Sequence, residues 1–359
     1  MKRNNLQKSN TGKMRKLAVI AVTGALVAGT AMPALAAKTP MLTRKSEYEW
    51  NYKKSYKTKK DYRFSYRSNG QIKTITDKKK NIKTTYLYDK NDRIKEEVEK
   101  KKNKTTTRHY EWNDDGTQVT VSDIKGNPLL EYEFYKDGNV KKLTQKDSKG
   151  RTSGIVSYTY NKKGDVLTRT DTEINTRNRS SYTEKEVNKY NAKGQPISIT
   201  TYNKKGKATD KRVYTYKKGK LRKWVNTGAG HKRTLTFKYK GKKIIATVKS
   251  KKPKFVETTI YDTRYQAIQP EILPYQIISQ ELKEDGTVTT LTHKIKAYKK
   301  GALKGLIKND NWAVTFYVRG EKMEGAKQKD RYAYKAYNIS KKNLRIQQAL
   351  VDLNYIMLK

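Results

Sequence analysis

The chain has no cysteine, only 7 prolines among 359 residues, and a hydrophobic content of only 34%. Without cysteine there is no disulfide, no thiolate nucleophile and no Cys-ligated metal site. The lipidated cysteine of bacterial lipoproteins is excluded as well. The low proline content is atypical of low-complexity linkers, and the low hydrophobic content leaves little for a large globular core.

Positive charge and tyrosine are abundant instead. Lys and Arg total 82 against 34 Asp and Glu, which gives a formal net charge of +48. Tyrosine occurs 27 times, compared with 5 Phe and 4 Trp. Tyrosine favours strands and can bury its ring while its hydroxyl stays in water. The composition therefore indicates a charged, solvated β-structure.

Residues 1–36 are predicted to be a secretory signal peptide. Six basic residues precede an uncharged apolar run over residues 17–32, and Pro33-Ala34-Leu35-Ala36 places small residues at −3 and −1. An uncleaved membrane anchor is the alternative, but two glycines and a run nearer 16 than 20 residues disfavour spanning. Cleavage leaves 82 − 6 = 76 basic against 34 acidic residues, or +42. We expect an exported protein, and the long basic leader resembles those of Gram-positive bacteria.

A repeated motif organises most of the chain, and residues 158–166 are its clearest copy. Tyr158 and Tyr160 alternate along a strand, Asn161 and Gly164 suit a type I turn closed by a left-handed residue, and Val166 opens the next strand. The second aromatics recur at positions 66, 88, 112, 134, 160, 190, 216 and 239, a period of 22 to 30 residues. One period holds two strands and two turns, typical of an up-and-down antiparallel meander.

The fold class that follows is all-β. We expect an extended antiparallel β-hairpin (meander) repeat array, with a short C-terminal helix capping its apolar end. The sequence leaves open whether the sheet is flat, curled or closed. The residues assigned to the repeat are Tyr66, Gly70, Tyr88, Trp112, Gly116, Phe134, Gly138, Tyr158, Tyr160, Asn161, Gly164, Val166, Tyr190, Gly194, Tyr216, Gly219, Tyr239 and Gly241.

The pattern Tyr-x-Tyr-Asp/Asn-x-x-Gly-x-Leu/Val/Ile resembles the YD repeat of the RHS family, whose members are secreted and surface proteins built of long β-sheet arrays. The unit from Tyr160 to Val166 fits best, whereas the unit after Tyr88 has Asp92 in the glycine position. The unit lengths vary, so the resemblance is that of a divergent relative or of a convergent hairpin array with the same turn chemistry. Family members form closed shells that can enclose a toxic C-terminal domain, but this array is too short for that function to be carried over.

The predicted organisation has six parts. They are a signal peptide (1–36), a lead segment (37–56), the YD-like hairpin array (57–256), a linker or crossover (257–274), further hairpins (275–339) and a C-terminal helix (340–359). Prolines at 270 and 274 interrupt strand pairing in the linker. Ser340 is the expected helix cap, and an apolar stripe predicts that the helix covers the sheet. A helix that binds a partner or a membrane surface is the alternative.

No catalytic, metal or cofactor site is predicted, and the protein is expected not to be an enzyme. His109, His231 and His293 lack metal-ligand spacing, and we interpret them as solvated or sheet-facing. The sequence contains no GxSxG, HExxH or P-loop motif. Acidic neighbours such as Glu96 and Glu97 do not make an acid–base pair without a pocket.

Lysine clusters at the predicted turns are the remaining signal. They either protect strand edges and keep the chain soluble, or attract wall phosphates, acidic polysaccharide or extracellular DNA. A charge of +42 exceeds what solubility requires. The candidate polyanion-binding residues are Lys78, Lys79, Lys80, Lys100, Lys101, Lys102, Lys217, Lys218, Lys242 and Lys243.

The leading hypothesis is a secreted, non-enzymatic scaffold or adhesin, associated with the cell wall through these lysines, without sequence-specific nucleic-acid binding and without a transmembrane segment after signal cleavage. The alternative is an envelope hydrolase or toxin-like effector whose active region is residues 275–359. An outer-membrane barrel also alternates with period two, but lysine interrupts many of the strands. The sequence does not specify the oligomeric state.

Overall fold

A computed structural model describes residues 38–51, 55–228, 230–251, 254–264, 275–283, 285–318 and 321–351. These residues form one antiparallel sheet of 22 strands followed by one α-helix. The expected all-β fold with a C-terminal helix is therefore confirmed. The predicted signal peptide lies outside the described residues.

The strands take up most of the described chain. They are β1 (Thr39–Asn51), β2 (Ser55–Tyr66), β3 (Ile72–Asp77), β4 (Ile82–Tyr88), β5 (Ile94–Lys101), β6 (Lys104–Trp112), β7 (Gln118–Asp123), β8 (Pro128–Phe134), β9 (Val140–Lys146), β10 (Thr152–Tyr160), β11 (Val166–Ile174), β12 (Ser181–Tyr190), β13 (Pro196–Asn203), β14 (Ala208–Lys217), β15 (Lys220–Gly228), β16 (His231–Lys240), β17 (Lys243–Lys251), β18 (Lys254–Asp262), β19 (Tyr275–Lys283), β20 (Val288–Ala297), β21 (Ile307–Val318) and β22 (Glu321–Tyr337). A 3-10 turn, Gly301–Leu303, precedes β21, and helix α1 is Lys341–Leu350.

The sheet closes on itself, which the sequence did not specify. Each strand pairs with the next in the chain, and β22 pairs in turn with β1. At this closing seam Glu47 of β1 lies opposite Lys60 of β2 on one side and Asp330 of β22 on the other. The result is a closed 22-stranded antiparallel barrel. The lead segment thus contributes β1, and the first residues assigned to the linker belong to β18.

The hairpin turns follow from short polar residues and glycine. In the turn after β10 the Asn161 side chain accepts hydrogen bonds from the backbone N–H groups of Lys163 and Asp165, both at 2.9 Å. Gly164 has φ +86°, in the left-handed region, and its N–H donates to the Asn161 carbonyl at 2.9 Å. Only glycine takes this conformation without steric cost.

A β-bulge accompanies this turn and changes the phase of the next strand. The register of β10 and β11 shifts between Thr159 and Tyr160. Val166 lies opposite Tyr160, and Arg169 lies opposite Tyr158. Val166 therefore shares a face with Arg169 and not with Thr168. A strict alternation counted from Val166 would have placed the threonine on that face.

The face that carries the aromatic repeat residues is the inner wall of the barrel, because its side chains are the buried ones. Val156 and Tyr158 are 2% and 4% exposed, and they belong to a core that runs from β1 to β11 and includes β21, β22 and α1. A second, smaller core on β14 to β17 includes Phe237 and Val248.

Tyrosine hydroxyls connect successive repeats near one end of the inner wall. The hydroxyl of Tyr160 donates to the carbonyl of Val140 at 2.9 Å, which lies in the second strand of the preceding repeat. We call this set of side chain to carbonyl bonds the tyrosine ladder. Its other members are Tyr66 to Leu42, Tyr88 to Ile72, Trp112 to Ile94, Tyr190 to Val166 and Tyr216 to Pro196.

Helix α1 lies across the end of the barrel that the ladder marks, which we call the helix end. Ser340 caps the helix, since its hydroxyl accepts from the Asn343 N–H at 3.1 Å. Gln347 accepts from the backbone N–H of Ile72 at 2.6 Å, and Val351 is fully buried. The helix therefore closes over the core at the turns of β2 to β9. Residues 352–359 of the predicted helix lie outside the described part.

Candidate polyanion-binding lysines

The ten candidate lysines lie at opposite ends of the barrel. Lys78, Lys79 and Lys80 occupy the β3–β4 turn, and Lys100 to Lys102 the end of β5 and its turn to β6. These turns are at the far end, opposite α1. They are neighbours, because β4 and β5 pair directly. The structure thus brings two lysine triplets together.

The remaining four lysines lie at the helix end. Lys217 and Lys218 form the β14–β15 turn, and Lys242 and Lys243 the β16–β17 turn. These two turns are also neighbours, since β15 pairs with β16. The candidate residues therefore make two separate basic groups, one at each end, rather than one continuous surface.

Lysines lie directly opposite one another where these hairpins close. Lys83 pairs with Lys100, and Lys101 with Lys104, at the far end. At the helix end Lys217 pairs with Lys220, and Lys240 with Lys243. Like charges directly across a strand pair repel and destabilise the sheet. An anionic partner would relieve this repulsion.

All ten candidate side chains are exposed. In the part of the chain that the structure describes, none of them forms an ion pair. Other lysines differ: Lys60 contacts Glu47 at 2.7 Å and Lys146 contacts Glu131 at 3.0 Å. The ten ammonium groups are therefore exposed to an anionic ligand from solution, although Lys243 also lies opposite Asp262 of β18.

Two of these lysines also hold strained turn positions. Lys102 has φ +49° and Lys218 has φ +52°, both in the left-handed region that favours glycine. A residue with a side chain costs about 1–2 kcal/mol there. Lysine is present at both turns despite this conformational cost.

The glycines and aromatics assigned to the repeat serve the fold. Gly70, Gly116, Gly138, Gly194, Gly219 and Gly241 all have positive φ at their turns. Burial raises the pKa of the Tyr190 hydroxyl to about 12, and that of Tyr88, Tyr160 and Tyr216 also rises for this reason. These hydroxyls therefore remain protonated donors. Phe134 has no hydroxyl for the ladder, and Tyr239 packs against the second core.

Charged residues line the inner wall farther from the helix end, and the sequence reasoning missed them. Glu97 is 9% exposed and accepts from Arg108 at 2.9 Å and from the Tyr110 hydroxyl at 3.0 Å. Asp171 lies beside Arg169, at 2.8 Å, and burial raises its pKa. The bulges place Glu97 and Asp171 inside, whereas strict alternation from Ile94 and Val166 puts them outside. Arg108 lies two residues before Tyr110 and is on the inner face by alternation alone.

Another charged group lies at the closing seam. Glu47 contacts Lys45 at 3.1 Å and Lys60 at 2.7 Å, and Asp330 lies opposite it on β22. Burial, with repulsion from Glu47 and Asp310, raises the pKa of Asp330 to about 6. We call these residues the seam cluster, and it includes the pair between His293 Nδ1 and Asp310 Oδ2 at 2.8 Å.

A cleft of about 360 Å³ lies between α1 and the β4–β5 and β6–β7 turns. Its lining includes Arg93, Trp112, Asp114 and Lys342. Both signs of charge are present, so the cleft has no preference for an anion. The Arg93 side chain is already held by Asp89 at 2.7 Å and by the Asn113 carbonyl at 3.0 Å.

The described residues include no group of three or more His, Asp or Glu arranged to hold a metal ion. Within the same residues no helix is long and apolar enough to cross a membrane.

His231 and Lys249 have side chains outside the described set, and His109 lies opposite Glu96 and Ser122 on the outer face of β6.

No protein-family model and no curated protein matches this chain. Among solved structures, it is similar to a porin-like protein from Bacteroides uniformis, with TM-score 0.32, 13% identity, and coverage of 82% of this chain and 98% of that one. A Photorhabdus luminescens Tc holotoxin pore matches with TM-score 0.27, 9% identity and coverage of 73% and 16%. The structure of TcdB2-TccC3-TEV matches with TM-score 0.30, 12% identity and coverage of 76% and 16%. The chain spans less than a fifth of the two toxin chains.

Proposed function

We propose that this protein is a secreted, non-enzymatic β-repeat scaffold or adhesin at the bacterial cell surface. The lysine groups at the barrel ends hold it on anionic polymers such as wall phosphates, acidic polysaccharide or extracellular DNA. We further propose that its repeats are divergent relatives of the YD repeat, on the motif from Tyr160 to Val166.

The observation that carries the proposal is the set of ten exposed lysines that make no ion pair with any described residue and lie in neighbouring turns at each end of the barrel. Protection of open edges is no longer a sufficient reason for them, because each described strand pairs on both sides. Solubility alone does not account for lysines directly opposite one another, since that arrangement costs stability.

The test uses the chain without residues 1–36 and inorganic polyphosphate as the probe. Reversing the charge at Lys100, Lys101 and Lys102 is expected to weaken binding by about tenfold or more at low salt. A control reverses three exposed lysines on the outer wall, Lys185, Lys189 and Lys211. It changes the net charge equally.

Binding of wild type should also fall steeply between low salt and about 1 M, where the Debye length is about 3 Å. Equal losses in the two variants would contradict a specific role for the turn lysines. Binding that persists unchanged at high salt would contradict the electrostatic mechanism itself.

A second candidate function is an envelope hydrolase or toxin-like effector with its active region in residues 275–359. The pair of His293 and Asp310 favours it, because a carboxylate that orients an imidazole is part of many general-base sites. The test is hydrolysis of purified cell-wall polymer by wild type and by His293→Gln. Turnover by wild type that the variant loses, with unfolding unchanged, would support this candidate over the scaffold.

A further inference from the structure

One region of the outer wall differs from the rest of this highly charged chain. On β18 to β21, Val256, Leu282, Val288 and Tyr317 lie directly opposite one another across four strands. Leu282 is 45% exposed and Tyr317 is 38% exposed. Glu257, the neighbour of Val256, lies opposite the buried Val248 and on the same face as the buried Thr259. Val256 and the three residues paired with it therefore lie on the opposite, outer face.

The two adjoining rows of the same face extend this surface toward the helix end. They are Thr258, Gln280, Thr290 and Thr315, then Ile260, Ile278, Thr292 and Ala313. The three rows hold twelve residues and no charge, although charged residues make up 32% of the chain. By composition about four would be charged, since 0.32 × 12 is 3.8. Seven of the twelve are apolar and five are Thr or Gln, and we call the set the uncharged patch.

Strand geometry gives the size of the patch. Strands lie about 4.8 Å apart and residues on one face are about 7 Å apart along a strand. Four strands and three rows therefore cover roughly 14 Å in each direction. The row of Thr and Gln separates two rows that hold most of the apolar side chains, and exposed apolar residues rimmed by polar ones are a feature of membrane interaction sites.

Lysines border the uncharged patch. Lys322 lies directly opposite Tyr317, and Lys238 lies opposite Ile245, the neighbour of Ile260 on the adjoining strand. Lys294 follows Thr292 by two residues on the same face of β20. All three lysines are exposed. Glu324 lies opposite Thr315 on the same border and is paired with Lys327 at 2.6 Å. The patch is thus an uncharged surface with a mainly basic border.

This combination decides between two occupants. A second copy would bring its own basic border and a chain of net charge +48, or +42 after cleavage, against the first. Such like-charge contact is unfavourable. An anionic lipid bilayer offers the opposite charge to the lysines and an apolar interior to Leu282 and Tyr317. Basic and apolar surface side by side is the chemistry of peripheral membrane binding.

We propose that the outer face of β18 to β21 docks on an anionic lipid bilayer. Leu282 and Tyr317 enter the interface, and Lys238, Lys294 and Lys322 contact the headgroups. Tyrosine suits this position, since its ring is apolar and its hydroxyl can stay at the headgroup level. This contact is separate from the ten lysines at the barrel ends.

The test is sedimentation of the chain without residues 1–36 with vesicles of phosphatidylglycerol and phosphatidylcholine, compared with phosphatidylcholine alone. The patch variant is Leu282→Lys with Tyr317→Lys, which adds two positive charges. The control is Leu87→Lys with Ile124→Lys, which adds the same charge at residues that are 41% and 69% exposed outside the patch.

The patch variant is expected to bind anionic vesicles at least about tenfold more weakly than wild type, despite its extra charge. The control should bind as tightly as wild type or more tightly. Binding by the patch variant that equals the control would show that charge alone is responsible, and would overturn the proposal. So would wild type that fails to bind anionic vesicles, or a wild-type dimer that the patch variant disrupts.

A second measurement covers the case in which the patch variant does not fold. Tyr317→Trp and Leu87→Trp place a fluorophore inside and outside the patch. Brominated lipids should quench the added emission of the first variant and leave that of the second unchanged. Equal quenching at both positions would overturn the proposal.

Discussion

The tyrosine ladder gives the sharpest stability prediction. Tyr160→Phe removes the hydroxyl that donates to the Val140 carbonyl at 2.9 Å. The ring, which stacks on Tyr158 with centroids 6.2 Å apart, is retained. The perturbation is therefore limited to one hydrogen bond between two repeats.

The expected loss follows from the burial of the acceptor. Val140 is 4% exposed, so water cannot easily replace the lost donor at its carbonyl. A buried polar group left without its partner costs about 1–3 kcal/mol. We expect Tyr160→Phe to lower the free energy of unfolding by about 2 kcal/mol. Tyr190→Phe, which frees the buried Val166 carbonyl, should have a similar effect.

Equilibrium unfolding in urea, followed by circular dichroism, measures this difference when the m-values agree. The control is Tyr317→Phe, whose hydroxyl has no hydrogen-bond partner among the described residues and whose side chain is 38% exposed. It should change the free energy of unfolding by less than about 0.5 kcal/mol. A Tyr160→Phe variant as stable as this control would refute the argument that the ladder joins the repeats.

Three further predictions concern the seam and the turns. Asp330→Asn should stabilise the barrel by up to about 2–3 kcal/mol near pH 7.5 and have little effect near pH 4. In the wild type the pKa of Asp330 is raised from 3.8 to about 6, so the stability that its protonated form contributes is fully present below pH 3.8 and is lost as pH rises through 6. Urea midpoints of both proteins at several pH values test this. Asp92→Gly should raise thermal stability by up to about 1 kcal/mol, because Asp92 has φ +59° and its ion pair with Arg67 is largely exposed; a lower melting temperature would contradict it. Gly138→Ala should cost about 1–3 kcal/mol more than Gly150→Ala, since its Cβ would come within 2.7 Å of the Lys342 carbonyl of α1, whereas Gly150 has open space; equal losses in urea unfolding would contradict this.

The repeat hairpins could be predicted from the sequence because their signals are local. Asn161 and Gly164 specify a turn through side chain to backbone bonds and a positive φ, and both depend on residues within five positions. The cap at Ser340 is local in the same sense. These parts of the fold do not require knowledge of distant contacts.

Closure and the inner charges could not be predicted in this way. The pairing of Glu47 with Asp330 joins residues far apart in the chain, and nothing in the local pattern of residues 37–56 indicates it. The bulges move Arg169 and Asp171 inside, where alternation from Val166 places threonine. The candidate lysines were found as turn residues, but their division between two ends depends on the strand order.

The closing seam also bears on how the chain reaches its final state. Thr39 and Tyr337 are paired, so the first and last strands of the described barrel begin and finish side by side. During synthesis the free edge of β1 has no partner until nearly the whole chain has emerged. An unpaired edge of this kind is where intermolecular aggregation begins. A circular permutant that links the segment after α1 to the start of β1 and opens the exposed turn at Gly150 would change which strand edge stays unpaired, and so the folding order, while keeping every strand neighbour and the helix.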